Sequence, residues 1–286
     1  MTPFTEAATS RTTKIRAGGS ELNIHYNDMG QGPAIMMLHG SGPGASGWSN
    51  FHRNVDALAG AGYRVILADM PGWGKTDSIV VRDQWRSELN VEVIRGLMDH
   101  LKLDRAHLIG NSMGGGMSLA FALACPERVA KLVLMGSGGL GSSVMQPQPM
   151  EGIKVVGEVY RNPTPENVTR MLKLFVYDSN DLTDELLKTR FDAIMSRRDH
   201  LQNFVESQKF RAGFYPDQSP RLGEVKAPVL ITWGRDDRFV PFDTALRALH
   251  GLPNADLCVF SRCGHWAQWE HPDKFNRYVI DFLKNG

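Results

Sequence analysis

The chain has 286 residues, of which 42% are hydrophobic and 22% charged, and its formal net charge is +1 at pH 7. That length suits one large domain with an insertion, and the composition is that of an ordinary globular protein able to bury a sizeable core. The sequence has no polybasic block, acidic tail or membrane-length apolar run, so we expect neither a nucleic-acid partner nor a membrane partner.

The cysteines and the first residues bear on the compartment. Cys125, Cys258 and Cys263 form no CxxC pair and are odd in number, so we predict free thiols in a reducing, cytoplasmic environment. Residues 1–16 are rich in Thr, Ala and Ser and have no apolar run. We therefore predict that they are not a secretory signal and that they form a frayed terminus.

Short apolar runs typical of buried strands alternate with helical patterns along the rest of the chain. Strands are predicted at residues 22–26, 34–39, 63–69, 107–110, 129–135, 228–233 and 256–260. Helices are predicted at residues 86–101, 113–125 and 274–283. This alternation indicates an α/β fold with a mainly parallel central sheet and helices on both faces.

The alternation stops at residues 138–221, which contain helical patterns at 165–176 and 183–195 but few strand-like runs. We predict that residues 138–221 form a helical lid, inserted into a core made of residues 1–137 and 222–286. The lid offers apolar and aromatic side chains for a substrate: Ile153, Val156, Met171, Phe175, Phe214 and Tyr215.

A tight turn with a serine at its tip is predicted between the strand at 107–110 and the helix at 113–125. Its sequence, Gly110-Asn111-Ser112-Met113-Gly114, matches G-x-S-x-G. The pattern alone is weak, but a strand before it and a helix after it are the context of a nucleophile elbow, which exposes the serine oxygen above the sheet. The glycines avoid clashes in so sharp a turn, and the helix N-terminus favours developing negative charge. Ser112 is therefore the candidate nucleophile.

A serine hydroxyl needs a base, and the base needs a group to orient it. His265 follows the last predicted strand, at the carboxyl edge of the sheet where such sites assemble. Asp236 and Asp237 both follow the strand at 228–233; we favour Asp237, further along the turn, and interpret Asp236 as a turn residue. The chain order Ser112, Asp237, His265 is that of the α/β-hydrolases.

Acyl chemistry also requires donors to a developing oxyanion. The backbone N–H of Met113, next to the nucleophile, is one candidate. The other is the N–H of Ser41, in the glycine-rich sequence HGSGPG at 39–44 that follows a predicted strand. Nothing in the chain resembles a P-loop or a metal-ligand spacing, so we expect no cofactor and no metal.

Four segments make the chain resemble the meta-cleavage product hydrolases, α/β-hydrolases that split a carbon–carbon bond in ring-opened catechols. The segments are LHGSGPGA at 38–45, GNSMGG at 110–115, WGRDDRFVP at 233–241 and CGHWAQWE at 263–270. The resemblance runs through nearly the whole chain, and the last segment separates this branch from general esterases. It implies an α/β-hydrolase fold with a helical lid.

The resemblance also implies an activity. Family members act on 2-hydroxy-6-oxohexa-2,4-dienoates, small-molecule substrates whose dienol first ketonises by gaining a proton at C5. Attack at the C6 carbonyl then breaks the C5–C6 bond and gives 2-hydroxypenta-2,4-dienoate and a carboxylic acid. Ser112 would be the nucleophile and His265 the proton shuttle, in an enzyme expected to be a homo-oligomer.

Further substrate contacts are implied at positions that match family residues. Asn111, Arg190 and Trp266 would surround the dienoate carboxylate and the 2-oxygen. A planar guanidinium suits a carboxylate because it can donate two parallel hydrogen bonds. The remaining expected contacts are Asn50 and Gly42, at the same end of the substrate, and Phe175 of the lid.

The sequence does not fix the 6-substituent; the resemblance implies a 6-phenyl or related substrate, with 2-hydroxy-6-oxonona-2,4-dienedioate as the alternative. Segments at 138–141 and 149–154 resemble members that accept a 6-phenyl substrate, whereas 5–11 and 196–201 are similar to members that accept 2-hydroxy-6-oxonona-2,4-dienedioate. Some phenyl-type members carry a tryptophan at the position of Pro216. Two other functions are compatible with the triad pattern: a general carboxylesterase, and a binding protein that uses the fold without catalysis.

Overall fold

A computed structural model describes residues 3–210 and 214–286 of the chain. One eight-stranded sheet runs through it in the order β1-β2-β4-β3-β5-β6-β7-β8. The strands are β1 Ser10–Ala17, β2 Ser20–Gly30, β3 Ala34–Leu38, β4 Arg64–Ala68, β5 Ala106–Asn111, β6 Val129–Met135, β7 Val229–Gly234 and β8 Ala255–Phe260. Strand β2 pairs antiparallel with β1 and β4, and every other pairing is parallel. The predicted fold class, with a mainly parallel sheet, is confirmed.

Helices occupy the connections between strands and the end of the chain. Those before β6 are α1 Glu6–Thr9, α2 Gly47–Phe51, α3 Val55–Gly60, α4 Arg86–His100 and α5 Met113–Ala124. Those after it are α6 Glu151–Arg161, α7 Pro165–Phe175, α8 Asp184–Met195, α9 Arg198–Ser207, α10 Asp243–Gly251, α11 Ala267–Glu270 and α12 Pro272–Asn285. None of these helices, within the described ranges, combines the length and the apolar character needed to cross a bilayer.

Both faces of the central strands β3 to β7 are buried, as expected for parallel strands. Alternate residues of β3 point to opposite sides, so that Met36 belongs to one apolar cluster and Met37 to the other. The first cluster includes Leu97 of α4 and Met117 of α5. The second includes Phe275 of α12, and it also contains residues of α2 and α3.

The predicted frayed terminus is wrong for the described part of residues 1–16; Met1 and Thr2 lie outside the described residues. Helix α1 begins at Glu6, and β1 pairs along its whole length with β2. Only Ile15 and Ala17 of this strand are buried. Because β1 is an edge strand with most side chains in solvent, its sequence is polar and lacks the apolar run by which buried strands are predicted. Main-chain pairing with β2 stabilises it.

Four helices, α6 to α9, lie between β6 and β7, inside the segment 138–221. They pack on one another, α6 against α7 and α9, and α8 against α7 and α9. Ile153 and Val156 of α6, Phe175 of α7 and Arg190 of α8 line a cavity together with Ser112. These helices therefore cover the end of the sheet at which β5 delivers the candidate nucleophile.

Candidate active site

Ser112 occupies a strained turn between β5 and α5. Its φ of 55° and ψ of −113° are unusual for a residue with a side chain. A Cβ at Gly110 would clash with the carbonyl oxygen of Gly114, and one at Gly114 would clash with that of Leu38. The turn can be this sharp only with glycine on both sides, and it leaves Ser112 lining the cavity.

His265 and Asp237 form a buried pair. The Nδ1 of His265 lies 2.7 Å from the Oδ2 of Asp237, and His265 is 3% exposed. The other ring nitrogen of His265, Nε2, is buried and has no partner among the described residues. Since the carboxylate takes the Nδ1 proton, Nε2 is left as the acceptor that a general base needs.

The backbone holds the two halves of this arrangement together. The Ser112 N–H donates to the carbonyl of Met135 at 2.8 Å. At the next residue, Gly136, an added Cβ would lie 2.9 Å from the His265 ring. The His265 N–H itself donates to the carbonyl of Phe175 at 2.7 Å, which ties the base to the lid. Residues 135–136 thus contact both the elbow and the imidazole.

The two neighbouring aspartates have different surroundings. The Oδ1 of Asp237 accepts from the N–H groups of Phe239 at 2.7 Å and Val240 at 3.1 Å, which leaves Oδ2 for His265. Asp236 instead lies 3.4 Å from the Arg235 guanidinium and accepts from the Cys263 N–H. The structure therefore places Asp237, and not Asp236, against the imidazole.

Hydrogen bonds hold the glycine-rich segment after β3 on two sides. His39 joins it to the turn after β4, and Tyr160 joins it to the lid helix α6. His39 is fully buried, and burial lowers its pKa, so the ring is neutral. Its Nε2 accepts from the Met70 N–H at 3.0 Å, and its Nδ1 donates to the Gly40 carbonyl at 2.8 Å. From the lid, the Tyr160 hydroxyl donates to the Ser41 carbonyl at 2.7 Å. Burial raises the pKa of Tyr160 well above its usual range, so the phenol keeps its proton.

Arg190 reaches from α8 into the cavity without an acidic partner. Its Nε donates to the Pro43 carbonyl at 2.9 Å and its Nη1 to the Ser49 hydroxyl at 3.3 Å. Its Nη2 is buried and has no hydrogen-bond partner among the described residues. Burial lowers the pKa of Arg190 to about 10, so the side chain is still a cation at neutral pH. An unpaired buried cation is costly, which makes an anionic ligand the expected partner.

Three aromatic rings form a stack beside the imidazole. Phe175 lies between Trp266, at 4.2 Å and 8°, and Phe239, at 4.0 Å and 6°. The Phe239 ring in turn lies 5.0 Å from that of His265. All three aromatic rings line the cavity. They give it a flat apolar wall and exclude water from the base.

The remaining expected contacts also line this cavity. Asn111 is fully buried, and its Oδ1 has no partner among the described residues. Asn50 accepts from the Gly40 N–H at 3.3 Å, and Gly42 lies between Phe175 and Arg190. Met113 is buried at the start of α5. The eleven residues expected from the sequence thus lie at the cavity or directly behind it.

The cavity around Ser112 is nearly closed. Its volume is about 10 Å³, room for about one water molecule. A second cavity of about 570 Å³ adjoins it and shares Ala45, Arg190 and Trp266 with it. The first space as it stands holds nothing much larger than a water molecule, and the larger open volume lies beside it.

Sequence reasoning missed three residues of this arrangement. Phe239 belongs to one of the segments that carry the family resemblance, two residues after Asp237, and that position was the available signal. His39 likewise lies in a quoted segment, LHGSGPGA at 38–45, but its burial and its bond to Met70 are not visible in the sequence. Tyr160 had no signal, because its role depends on a contact with a distant segment. Of the lid residues named from the sequence, Ile153, Val156 and Phe175 line the cavity, whereas Met171 is fully buried and does not.

Comparison with known proteins places this geometry in a family. The profile of the α/β-hydrolase fold matches residues 33–272. A 2-hydroxy-6-oxononadienedioate/2-hydroxy-6-oxononatrienedioate hydrolase of Paraburkholderia phymatum is 58% identical over 98% of this chain and 97% of its own. A hydrolase of the same name from Pseudomonas putida is 55% identical over 99% of both chains.

Solved structures of meta-cleavage product hydrolases superpose on this chain along nearly its whole length. A meta-cleavage product hydrolase of Pseudomonas fluorescens, a serine-to-alanine mutant complexed with acetates, superposes with a TM-score of 0.83 at 34% identity, over 95% of this chain and 97% of that one. The 2-hydroxy-6-oxo-6-phenylhexa-2,4-dienoate hydrolase of a Rhodococcus strain gives 0.83 at 31% identity, over 96% and 100%.

Proposed function

Because the chain belongs to the α/β-hydrolase family and, within it, to the meta-cleavage product hydrolases, we propose that it hydrolyses the C5–C6 bond of 2-hydroxy-6-oxohexa-2,4-dienoates. The products are 2-hydroxypenta-2,4-dienoate and a carboxylic acid. The observation that carries the proposal is the unpartnered Nη2 of Arg190 in the same cavity as Ser112. A plain esterase has no need of a buried cation there, whereas a dienoate brings a carboxylate to it.

In this proposal Ser112, Asp237 and His265 form the catalytic triad. After ketonisation, Ser112 attacks the C6 carbonyl and gives its proton to Nε2 of His265, while Asp237 holds the other ring nitrogen. The N–H groups of Met113 and Ser41 receive the oxyanion. Neither N–H donates to another backbone group within residues 3–210 and 214–286, so both are available. As the C5–C6 bond breaks, its electron pair is delocalised onto the 2-oxygen, which takes the proton from His265 and gives 2-hydroxypenta-2,4-dienoate. A water molecule that gives its proton to His265 then attacks the acyl carbon on Ser112, and the carboxylic acid leaves as Ser112 regains its proton.

The carboxylate end of the substrate is assigned to the Arg190 side. The guanidinium is already fixed by Pro43 and Ser49, so it loses little freedom on binding. The free Oδ1 of Asn111 accepts from the 2-hydroxyl. Gly42, Asn50, Phe175 and Trp266 complete the walls, and residues 138–221 act as the lid.

For the 6-substituent, we propose the carboxyethyl group of 2-hydroxy-6-oxonona-2,4-dienedioate. The relatives at 55–58% identity that carry this name support it. A 6-aryl group is the second candidate. Among the described residues that line the cavity, Arg190 is the one charged side chain, whereas Ile153, Val156 and Phe239 are apolar. An apolar wall favours a ring over a second carboxylate.

The test follows the loss of the yellow dienolate colour with both substrates. We expect kcat/KM for the nonadienedioate to exceed that for the 6-phenyl dienoate by at least about tenfold. The reverse ratio would favour the aryl substrate. Turnover of 4-nitrophenyl acetate with neither dienoate cleaved would make the protein a carboxylesterase. Ser112→Ala should retain dienoate binding and lose more than about 100-fold in kcat.

We also propose a cytoplasmic location and self-association. Cys125, Cys258 and Cys263 are free thiols, which suits a reducing compartment. Strand β8 forms an edge of the sheet, and its Val259 is exposed, a surface that pairing of two copies would cover. Light scattering at micromolar concentration measures the number of copies in the assembly, and a monomer would contradict the proposed self-association.

A further inference from the structure

A second chain of serine, histidine and aspartate lies outside the cavity that contains Ser112, although its aspartate, Asp69, lines the adjoining cavity of about 570 Å³. The Oγ of Ser10 lies 2.7 Å from the Nε2 of His25, and the Nδ1 of His25 lies 2.8 Å from the Oδ2 of Asp69. The three residues come from β1, β2 and the turn after β4. None of them lines the cavity that contains Ser112. One ring nitrogen of His25 contacts the serine hydroxyl and the other contacts the carboxylate, as in the catalytic triad of a serine hydrolase.

Asp69, like Asp237, accepts from two backbone N–H groups, but one of them shares the oxygen that contacts the imidazole. Its Oδ1 accepts from the Gly47 N–H at 2.7 Å, and its Oδ2 accepts from the Lys75 N–H at 3.0 Å as well as contacting His25. These donors fix the carboxylate with one oxygen facing the imidazole. Because the carboxylate takes the Nδ1 proton, Nε2 of His25 is the acceptor for the Ser10 hydroxyl.

The histidine is also rigid and shielded. Its N–H donates to the Thr76 hydroxyl at 2.8 Å, and its carbonyl accepts from the Asp69 N–H at 3.0 Å. His25 is 2% exposed and Asp69 1%, whereas Ser10 is only partly buried. The base is therefore kept from water, while Ser10 lies on the edge strand of the sheet and is only partly buried.

We propose that Ser10 is an acyl-acceptor site for small activated esters. The Ser10 oxygen forms a bond to the acyl carbon, the bond from that carbon to the leaving alkoxide or aryloxide breaks, and the Ser10 proton passes through His25 to the leaving oxygen. Ser10 follows the carboxyl end of α1 and begins a strand paired with β2, so it lacks the helix N-terminus that directly follows Ser112. Without that stabilisation the acyl group is removed slowly, and the site reacts once and stays modified.

The experiment uses the full chain with Ser112→Ala, so that the elbow serine cannot react. The protein is treated with 4-nitrophenyl acetate, and acetylation of each serine is followed by peptide mass spectrometry. Ser78 is the matched control, since it is also partly buried and its Oγ accepts from Asn203 but contacts no histidine. Ser10 should acetylate at least about tenfold faster than Ser78, because general-base catalysis commonly supplies more than that.

Adding His25→Gln should bring the Ser10 rate down to that of Ser78. Equal rates at the two serines in the Ser112→Ala protein would overturn the proposal, and so would a fast Ser10 that ignores His25→Gln. If the His25 variant does not fold, the comparison of the two serines decides alone. Ser10→Ala in the otherwise unchanged chain should leave dienoate cleavage as it was, which separates this site from the proposed function.

Discussion

The hydroxyl of Tyr160 and the carbonyl of Ser41 are joined by a 2.7 Å hydrogen bond that links the first lid helix to the glycine-rich segment after β3. The Tyr160 ring stacks on Phe204 at 3.8 Å, so the phenol is fixed from within the lid. Two residues after Ser41, the carbonyl of Pro43 accepts a hydrogen bond from Nε of Arg190, which belongs to the lid helix α8. The lid therefore holds the main chain on both sides of Gly42.

Tyr160→Phe should lower kcat on a dienoate by about threefold to tenfold with little change in KM. It removes the hydrogen bond of about 1 kcal/mol that aligns the Ser41 backbone, together with the longer contact of 3.3 Å to Nε2 of His200 inside the lid. Steady-state kinetics measures both constants. Tyr177→Phe, at an exposed tyrosine just after α7, is the control and should match the parent. A raised KM with intact kcat would mean that Tyr160 shapes the pocket and does not align the oxyanion donor.

Asp237→Asn should lower kcat by about 10³–10⁴-fold while the protein stays folded. An amide can still accept from the Phe239 and Val240 N–H groups through its oxygen. Its NH₂ would then face Nδ1 of His265 and impose the wrong tautomer. Asp236→Asn is the paired control, measured with the same substrate and with thermal unfolding. A severe loss in that variant and a mild one in Asp237→Asn would reverse the assignment.

Arg190→Gln should cost about one to two orders of magnitude in kcat/KM toward dienoates, since a charge-assisted contact contributes about 1.5–3 kcal/mol. Hydrolysis of 4-nitrophenyl acetate, which has no carboxylate, should barely change. Assays on both dienoates and the ester test this within one protein. Equal losses on all three would assign Arg190 to support of Pro43 and Ser49, and no loss on any would remove it from the site.

His107 makes stability depend on pH. Burial is the main reason that its pKa falls to about 4 in the folded protein, against about 6.5 in an unfolded chain. Between about pH 4 and 6.5 the unfolded chain therefore binds a proton at His107 that the folded protein does not. The contribution of His107 to the free energy of unfolding is fully present above about pH 6.5 and is lost as the pH falls toward 4. His107→Leu should flatten the dependence of Tm on pH in this window, as measured by calorimetry. An unchanged slope would mean that other buried histidines, such as His39 and His200, carry the effect.

Most of the sheet could be predicted because buried parallel strands are continuous apolar runs. Strand β6 is found at the predicted residues, 129–135. Helices α2 and α3, of five and six residues, were not predicted because they are too short to show a helical period. The capping box of Ser46 and Ser49 was the local signal for α2, and it lacks the usual Glu or Gln.

The site residues also divide into those that a short sequence segment reveals and those that only the folded structure reveals. Ser112, Met113 and His265 could be named because they sit in short segments whose chemistry depends on neighbours in sequence. The choice between Asp236 and Asp237 needed the direction of two side chains, which adjacent residues in one turn do not reveal. Contacts between distant segments, such as Ser10 with His25 and Asp69, leave no local pattern at all.

The insertion of the lid between β6 and β7 also lengthens the interval between the synthesis of Ser112 and that of Asp237. Ser112 precedes Asp237 by about 125 residues, or roughly 6–25 s of translation at about 5–20 residues per second. A nascent chain that already contains the elbow serine has neither its base nor the orienting carboxylate. The proposed nucleophile therefore stays unactivated on the ribosome until the last two strands, and the loops that follow them, have emerged and docked.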